Sequence, residues 1–101
     1  MSHYLKPISP TADAPCNDRG DLIWGGYNMA GWFLLRKCLI LWGVDISEFT
    51  GINDGAPISA ATCVKVADAI EAHLPELDER DRKWLGSHIK RWRTCGGYEK
   101  W

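Results

Sequence analysis

The chain has 101 residues, of which 46% are hydrophobic and 25% charged, and its formal net charge is −1. This length corresponds to one domain, and the composition is ordinary for a globular protein. A nearly neutral total excludes a molecule that attracts nucleic acid by its overall charge. The charge is unevenly distributed, because residues 82–101 carry six basic side chains and one acid, whereas residues 1–81 carry six basic and twelve acidic ones.

The sequence shows no feature that places the chain in a membrane or in a secretory route. Residues 1–7 contain no apolar leader. The most apolar run, residues 29–42, is interrupted by Arg36 and Lys37 and is shorter than the roughly 20 residues that a bilayer requires. We therefore expect a soluble, cytoplasmic protein that has no membrane partner and keeps its cysteines reduced.

The N-terminal arm, residues 1–25, contains three of the five prolines, at Pro7, Pro10 and Pro15. Because proline fixes φ and lacks an amide proton, the arm is predicted to be extended or irregular. Residues 4–6 can form a short edge strand, and residues 18–21 have the composition of a turn.

The first predicted helix covers residues 28–42, with Asn28 as its N-cap and Gly43 as its C-terminal stop. Apolar side chains surround almost its whole circumference, and only Arg36 and Lys37 interrupt them. A helix that is apolar all round is typical of a buried position, so this one is predicted to be the central helix of the core.

The second predicted helix covers residues 59–74 and follows a loop, residues 44–58, that contains the tight-turn sequence Asn-Asp-Gly at residues 53–55. Ser59 is its expected N-cap and Pro75 marks its end. One stripe of this helix is apolar, as expected for a half-buried helix. The stripe consists of Ala60, Cys63, Val66, Ala67, Ile70 and Leu74.

The third predicted helix covers residues 79–94, with Asp78 as its N-cap and Leu85, His88 or Ile89, and Trp92 on its inner face. Gly96 and Gly97 are expected to reverse the backbone, so that Tyr98 and Trp101 pack back near Trp92. The sequence thus predicts a mainly α, compact three-helix domain, with minor short strands from the N-terminal arm and the C-terminus. This single domain, residues 1–101, comprises the arm (1–25), a helical core (28–94) and a C-terminal tail (95–101).

The four cysteines do not have the spacing of a metal site. They are separated by 22, 25 and 32 residues without any C-x-x-C pair, so we expect neither a metal nor a cofactor. Cys95 lies near Arg91 and Arg93, but the dipole at a helix C-terminus opposes thiolate formation. Thiol chemistry at Cys95 or Cys16 is one open alternative. The four are Cys16, Cys38, Cys63 and Cys95.

The basic third helix and the tail carry the candidate partner-binding residues. Cations interleaved with an aromatic ring can follow a nucleic-acid backbone, which is a second alternative. The same cations can instead form a solvated face beside the acids of residues 76–81. The candidate set is Lys83, Trp84, Lys90, Arg91, Arg93, Tyr98 and Trp101.

Residues 92–101, Trp-Arg-Thr-Cys-Gly-Gly-Tyr-Glu-Lys-Trp, are similar to the end of a family of small uncharacterised bacterial proteins. In that family a helix leads into a Cys-Gly-Gly-aromatic-Glu-x-Trp ending. Residues 59–70 also resemble the family's alanine-rich helix, which follows an Asn/Asp-Gly loop. The resemblance implies a compact bacterial domain and assigns no catalytic residue. We therefore predict a non-catalytic module that binds another protein, with nucleic-acid binding and a thiol-dependent enzyme as alternatives.

Overall fold

A computed structural model describes residues 2–23, 25–49 and 57–100. These residues form helices together with a small antiparallel sheet, and a 3-10 turn at Leu74–Glu76 links the second helix to the third. In chain order the elements are β1 (Ser2–Pro7), β2 (Gly25–Asn28), α1 (Met29–Leu41), β3 (Pro57–Ile58), α2 (Ala60–His73), α3 (Glu79–Gly86), α4 (Ile89–Thr94) and β4 (Tyr98–Lys100).

The predicted helix starts are confirmed, because each expected cap accepts a backbone hydrogen bond. The Gly31 N–H donates to Asn28 Oδ1 (2.7 Å) at the start of α1. The equivalent caps are Ser59 for α2 (3.2 Å) and Asp78 for α3 (2.8 Å). Each cap satisfies one of the amide protons that a helix start leaves without an intrahelical partner.

The prediction of one continuous third helix is wrong, because two shorter helices replace it. The turn at residues 87 and 88 separates α3 from α4, and the His88 N–H bonds the Leu85 carbonyl (3.0 Å). The break follows Gly86, a residue type that weakens a helix interior. The predicted inner face is nevertheless confirmed, since Leu85, His88 and Trp92 are buried.

The four strands form one antiparallel sheet in the order β2-β1-β4-β3. Leu5 of β1 pairs with Gly25 on one side and with Lys100 on the other. The predicted strands from the arm and the C-terminus are therefore present, but β1 is an inner strand rather than an edge. The sequence analysis did not predict β2 or β3. The prediction of a mainly α domain is therefore incomplete, because it does not include this four-stranded sheet.

Among the described residues, the core draws on the arm and the tail as well as on the helices. Leu5 of the arm and Tyr98 of the tail are buried together with residues of α1, α2 and α4. The prediction that α1 is surrounded by protein is wrong, because it buries only Trp32, Leu35 and Leu39. The apolar residues on its other side face solvent.

The C-terminal segment folds back as predicted for Tyr98. Gly96 and Gly97 have φ of +65° and +100°, the left-handed region that suits glycine. Tyr98 then packs edge-on against Trp92, with ring centroids 5.0 Å apart. The predictions for Trp101 and for the turn at residues 53–55 lie outside the described residues.

Candidate functional site

The solvent side of α1 is an apolar surface, which we call the α1 face. Its four large apolar side chains have between 42% and 73% of their surface exposed. They lie opposite the buried side of the same helix, and exposed apolar groups clustered in this way are typical of contact surfaces. The four are Met29, Phe33, Ile40 and Leu41.

The charge on the α1 face is exclusively positive. Residues 29–41 contain Arg36 and Lys37 and no acid. The Arg36 guanidinium lies 5.8 Å from the centroid of the Phe33 ring, so the cation is held over the apolar surface. Its Nε atom is buried and makes no hydrogen bond to any described residue. The face therefore presents positive charge beside apolar side chains.

A cavity of about 480 Å³ adjoins the α1 face between the starts of α1 and α3. Its volume lies within the range of ligand pockets. A Cβ atom on Gly31 would lie 3.2 Å from Trp84 Cζ2, so the glycine allows the indole to pack closely on α1. The lining residues are Asn28, Ala30, Gly31, Leu34, Arg80, Asp81 and Trp84.

A buried polar cluster packs against the Trp84 ring. The Trp84 ring packs edge-on against Tyr27 (5.8 Å between centroids) and against His88 (5.1 Å). The Trp92 indole N–H donates to the Tyr27 hydroxyl (2.9 Å), which lies 3.0 Å from His88 Nδ1. The Tyr27 hydroxyl thus accepts from Trp92, while the tautomer of His88 decides which partner donates in the contact with Nδ1.

The environment keeps this cluster uncharged near neutral pH. Burial, together with the nearby Arg91 charge, lowers the pKa of His88 to about 4. Burial also raises the pKa of Tyr27 well above that of an exposed tyrosine. Both shifts favour the uncharged forms, so the cluster is suited to holding Trp84 in place.

The predicted partner-binding residues lie in different environments. Trp84 is half-buried at the cavity, and Lys83 and Lys90 are exposed on different helices. Tyr98 belongs to the core, and we therefore remove it from the candidate surface. Trp101 is outside the described residues.

The cations of α3 and α4 are also less available to a partner than their sequence indicates. The Arg93 guanidinium lies 2.7 Å from the Asp68 carboxylate and 2.9 Å from that of Glu71. These acids come from α2, not from the segment before α3 that the sequence pattern indicated. Arg91 is half-buried. The cations of α3 and α4 are thus partly used within the fold, as expected for opposite charges on packed helices.

The α1 face is the functional candidate that sequence reasoning missed. The sequence does carry a signal for it, namely the apolar residues on nearly every side of residues 28–42, which the sequence analysis interprets as complete burial. A helix that is buried on one side and exposes apolar residues to a partner on the other side has the same sequence pattern. Which of the two applies depends on what the rest of the chain covers.

The described residues contain no group of three His, Cys, Asp or Glu side chains placed to hold a metal ion. Within the same part of the chain, every helix is too short or too polar to cross a bilayer. No protein-family model, curated protein or solved structure matches this chain. The similarity of residues 92–101 to a bacterial family stays a prediction.

Proposed function

We propose that this protein is a non-catalytic binding module that holds an acidic, amphipathic segment of another protein on its α1 face. The observation that carries the proposal is the exposure of Met29, Phe33, Ile40 and Leu41 on one side of one helix. Burying apolar surface contributes about 25 cal/mol per Å², so a partner that covers these side chains gains free energy directly.

The charges of the surface support an acidic partner. Arg36 and Lys37 lie within the α1 face, and Arg80 lines the adjoining cavity. Asp81 is the one acid among the cavity-lining residues. Complementary charge mainly improves the association rate and selects against wrong partners, while the apolar contact supplies affinity.

The shape of the surface supports a helical partner segment. Helix α1 has 13 residues and is therefore about 20 Å long, which matches a partner helix of similar length. Phe33 and Ile40 are two turns apart on the same side of α1. The cavity beside Leu34 offers a place for one apolar anchor side chain of the partner, and such anchors dominate the energy of many interfaces.

The proposal is tested by selection from a displayed library of random peptides on the immobilised protein. The variant Phe33→Ser/Ile40→Ser removes the apolar contact, and Val64→Ser is the matched control because Val64 is an exposed apolar residue of α2. We expect the wild type and the control to enrich peptides with acidic residues and an apolar helical stripe. The double variant should lose this enrichment.

Four results would contradict the proposal. Enriched peptides without acidic residues would exclude an acidic partner, and enrichment that survives in the double variant would exclude the α1 face as the binding site. A stable dimer in sedimentation that the same double variant abolishes would make a second copy of the chain the occupant. Binding of mixed-sequence nucleic acid that requires Lys83 and Lys90 would support the basic surface instead.

A further inference from the structure

The cavity between the starts of α1 and α3 is lined by two helices that supply different chemistry. On α1, Gly31 and Leu34 lie one turn apart and contribute an apolar wall. On α3, Trp84 follows Arg80 by four positions and Asp81 by three, and these spacings place side chains on the same side of a helix. The cavity therefore combines an apolar wall with one aromatic ring and two opposite charges.

The two charged side chains of the cavity have no partner of opposite charge within the described part of the chain. The ion pairs found there are made by His73 and Arg93, and neither involves Arg80 or Asp81. The Asp81 N–H donates to the Asp78 cap (2.8 Å), which leaves the Asp81 carboxylate unused. Asp81 is half-buried and Arg80 is exposed, so the acid is the more shielded of the two. A shielded carboxylate beside an apolar wall favours a ligand that brings a positive charge to it.

The aromatic ring of the cavity is held in place by its neighbours. The Trp84 ring packs edge-on against Tyr27 and His88, and a Cβ on Gly31 would lie 3.2 Å from its Cζ2 atom. A ring fixed in this way loses little freedom when a ligand packs on it, and such preorganisation favours binding. Because aromatic pairs contribute more than their buried area alone, a ligand with its own ring gains most from this contact.

We propose that this cavity is a binding site for a free aromatic α-amino acid. The ammonium group of the ligand pairs with the Asp81 carboxylate, the carboxylate of the ligand accepts hydrogen bonds from the Arg80 guanidinium, and the ligand ring packs on Trp84 and the apolar wall of α1. A ligand that carries both charges leaves neither lining charge unpaired. The volume of about 480 Å³ lies in the range of small-ligand pockets, which are mostly apolar with a few polar groups that fix the orientation.

Isothermal titration calorimetry of the full chain with L-tryptophan and L-phenylalanine tests the site. We expect one equivalent to bind with a Kd below about 1 mM, as is typical of sites for metabolites. L-Alanine has both charges but no ring, and N-acetyl-L-tryptophanamide has the ring but neither charge. Both should bind at least about tenfold more weakly than L-tryptophan.

The amide also stands for a residue inside a partner chain, so it separates the two sources of an aromatic ring. Binding of the amide as tight as that of L-tryptophan would show that the cavity accepts an apolar anchor side chain and does not recognise a free amino acid. The absence of saturable binding by either aromatic amino acid would overturn the proposal as well.

Two charge-neutralising variants locate the ligand. Asp81→Asn should raise the Kd about tenfold, because a shielded carboxylate pairs strongly, and Arg80→Gln should raise it about two- to fivefold, because an exposed pair contributes less. Glu79→Gln and Lys83→Gln are the matched controls, since both residues are exposed on α3 and neither lines the cavity. Unchanged affinity in the first two variants, or equal losses in the controls, would refute the assigned contacts.

The variant Phe33→Ser/Ile40→Ser separates this site from the proposed peptide contact on the α1 face. A ligand in the cavity occupies the place suggested for a partner's anchor side chain, but its binding does not depend on such a partner. Neither Phe33 nor Ile40 lines the cavity, so the variant should keep its affinity for the amino acid. Loss of amino-acid binding in this variant, with an unchanged circular dichroism spectrum, would place the ligand on the α1 face and overturn the cavity as its site.

Discussion

The hydroxyl of Tyr27 is the most sharply testable element of the fold. Tyr27→Phe keeps the ring and its contacts but removes the acceptor of the Trp92 indole N–H and the hydrogen-bond partner of His88 Nδ1. Trp92 and His88 are both buried, so neither group can turn to water. Each buried group left unpaired costs about 1–3 kcal/mol, and removing the buried hydroxyl offsets part of this. We expect a net loss of about 2–4 kcal/mol in the free energy of unfolding.

Urea unfolding followed by circular dichroism measures this loss, and thermal unfolding should show a decrease of the melting temperature on the order of 10 °C. Tyr4→Phe is the matched control, because 55% of Tyr4 is exposed and it should change stability by less than about 0.5 kcal/mol. If Tyr27→Phe cost no more than this control, the hydroxyl network would not contribute to stability.

Three further outcomes follow from the same structure, each measured by denaturant unfolding. Stability should fall as the pH drops from about 6.5 towards 4, by about 3 kcal/mol, because the unfolded chain binds a proton while the buried His88 of the folded protein stays neutral; a flat profile would contradict a neutral, buried His88. Leu39→Ala should cost about 2–5 kcal/mol, whereas Leu41→Ala, on the α1 face, should cost less than about 0.5 kcal/mol. Gly96→Ala should destabilise the protein more than Gly20→Ala, although both glycines have positive φ. The reason is that a Cβ at position 96 would lie 1.9 Å from the Ser9 carbonyl oxygen, whereas a Cβ at position 20 would meet no atom within 4 Å. Equal losses would show that the arm does not pack against Gly96.

The features that could be predicted from the sequence are those set by neighbouring residues. A cap depends on one side chain and the amides two or three positions later, so Asn28, Ser59 and Asp78 were identifiable. The reversal at Gly96 and Gly97 is local in the same sense. Each of these choices is made within one turn of the chain, and no distant contact is needed to decide it.

The sheet could not be predicted because its pairing is between distant parts of the chain. Leu5 pairs with Lys100, and β3 consists of only Pro57 and Ile58, too short for any alternating pattern. In β2 the pair Gly25-Gly26 is typical of a break rather than a strand. A Cβ on Gly25 would lie 3.1 Å from the Tyr98 hydroxyl, so a glycine is favoured there by close packing that the local sequence does not reveal.

The candidate site escaped prediction for a related reason. Periodicity states which side chains share a face of a helix, but the covering of that face is decided by every other element. Here α2 packs mainly against α4, and the sheet and the helices bury only one side of α1. A chain of this length leaves a large part of its surface exposed, so apolar residues beyond those the core can cover must face solvent or a partner.

Substituting apolar residues of the α1 face should therefore change binding and leave stability nearly unchanged, whereas substituting the buried Leu39 should lower stability without removing a contact to the partner. A variant such as Ile40→Ser that lost several kcal/mol of stability would show that α1 is covered after all, and the binding proposal would lose its basis.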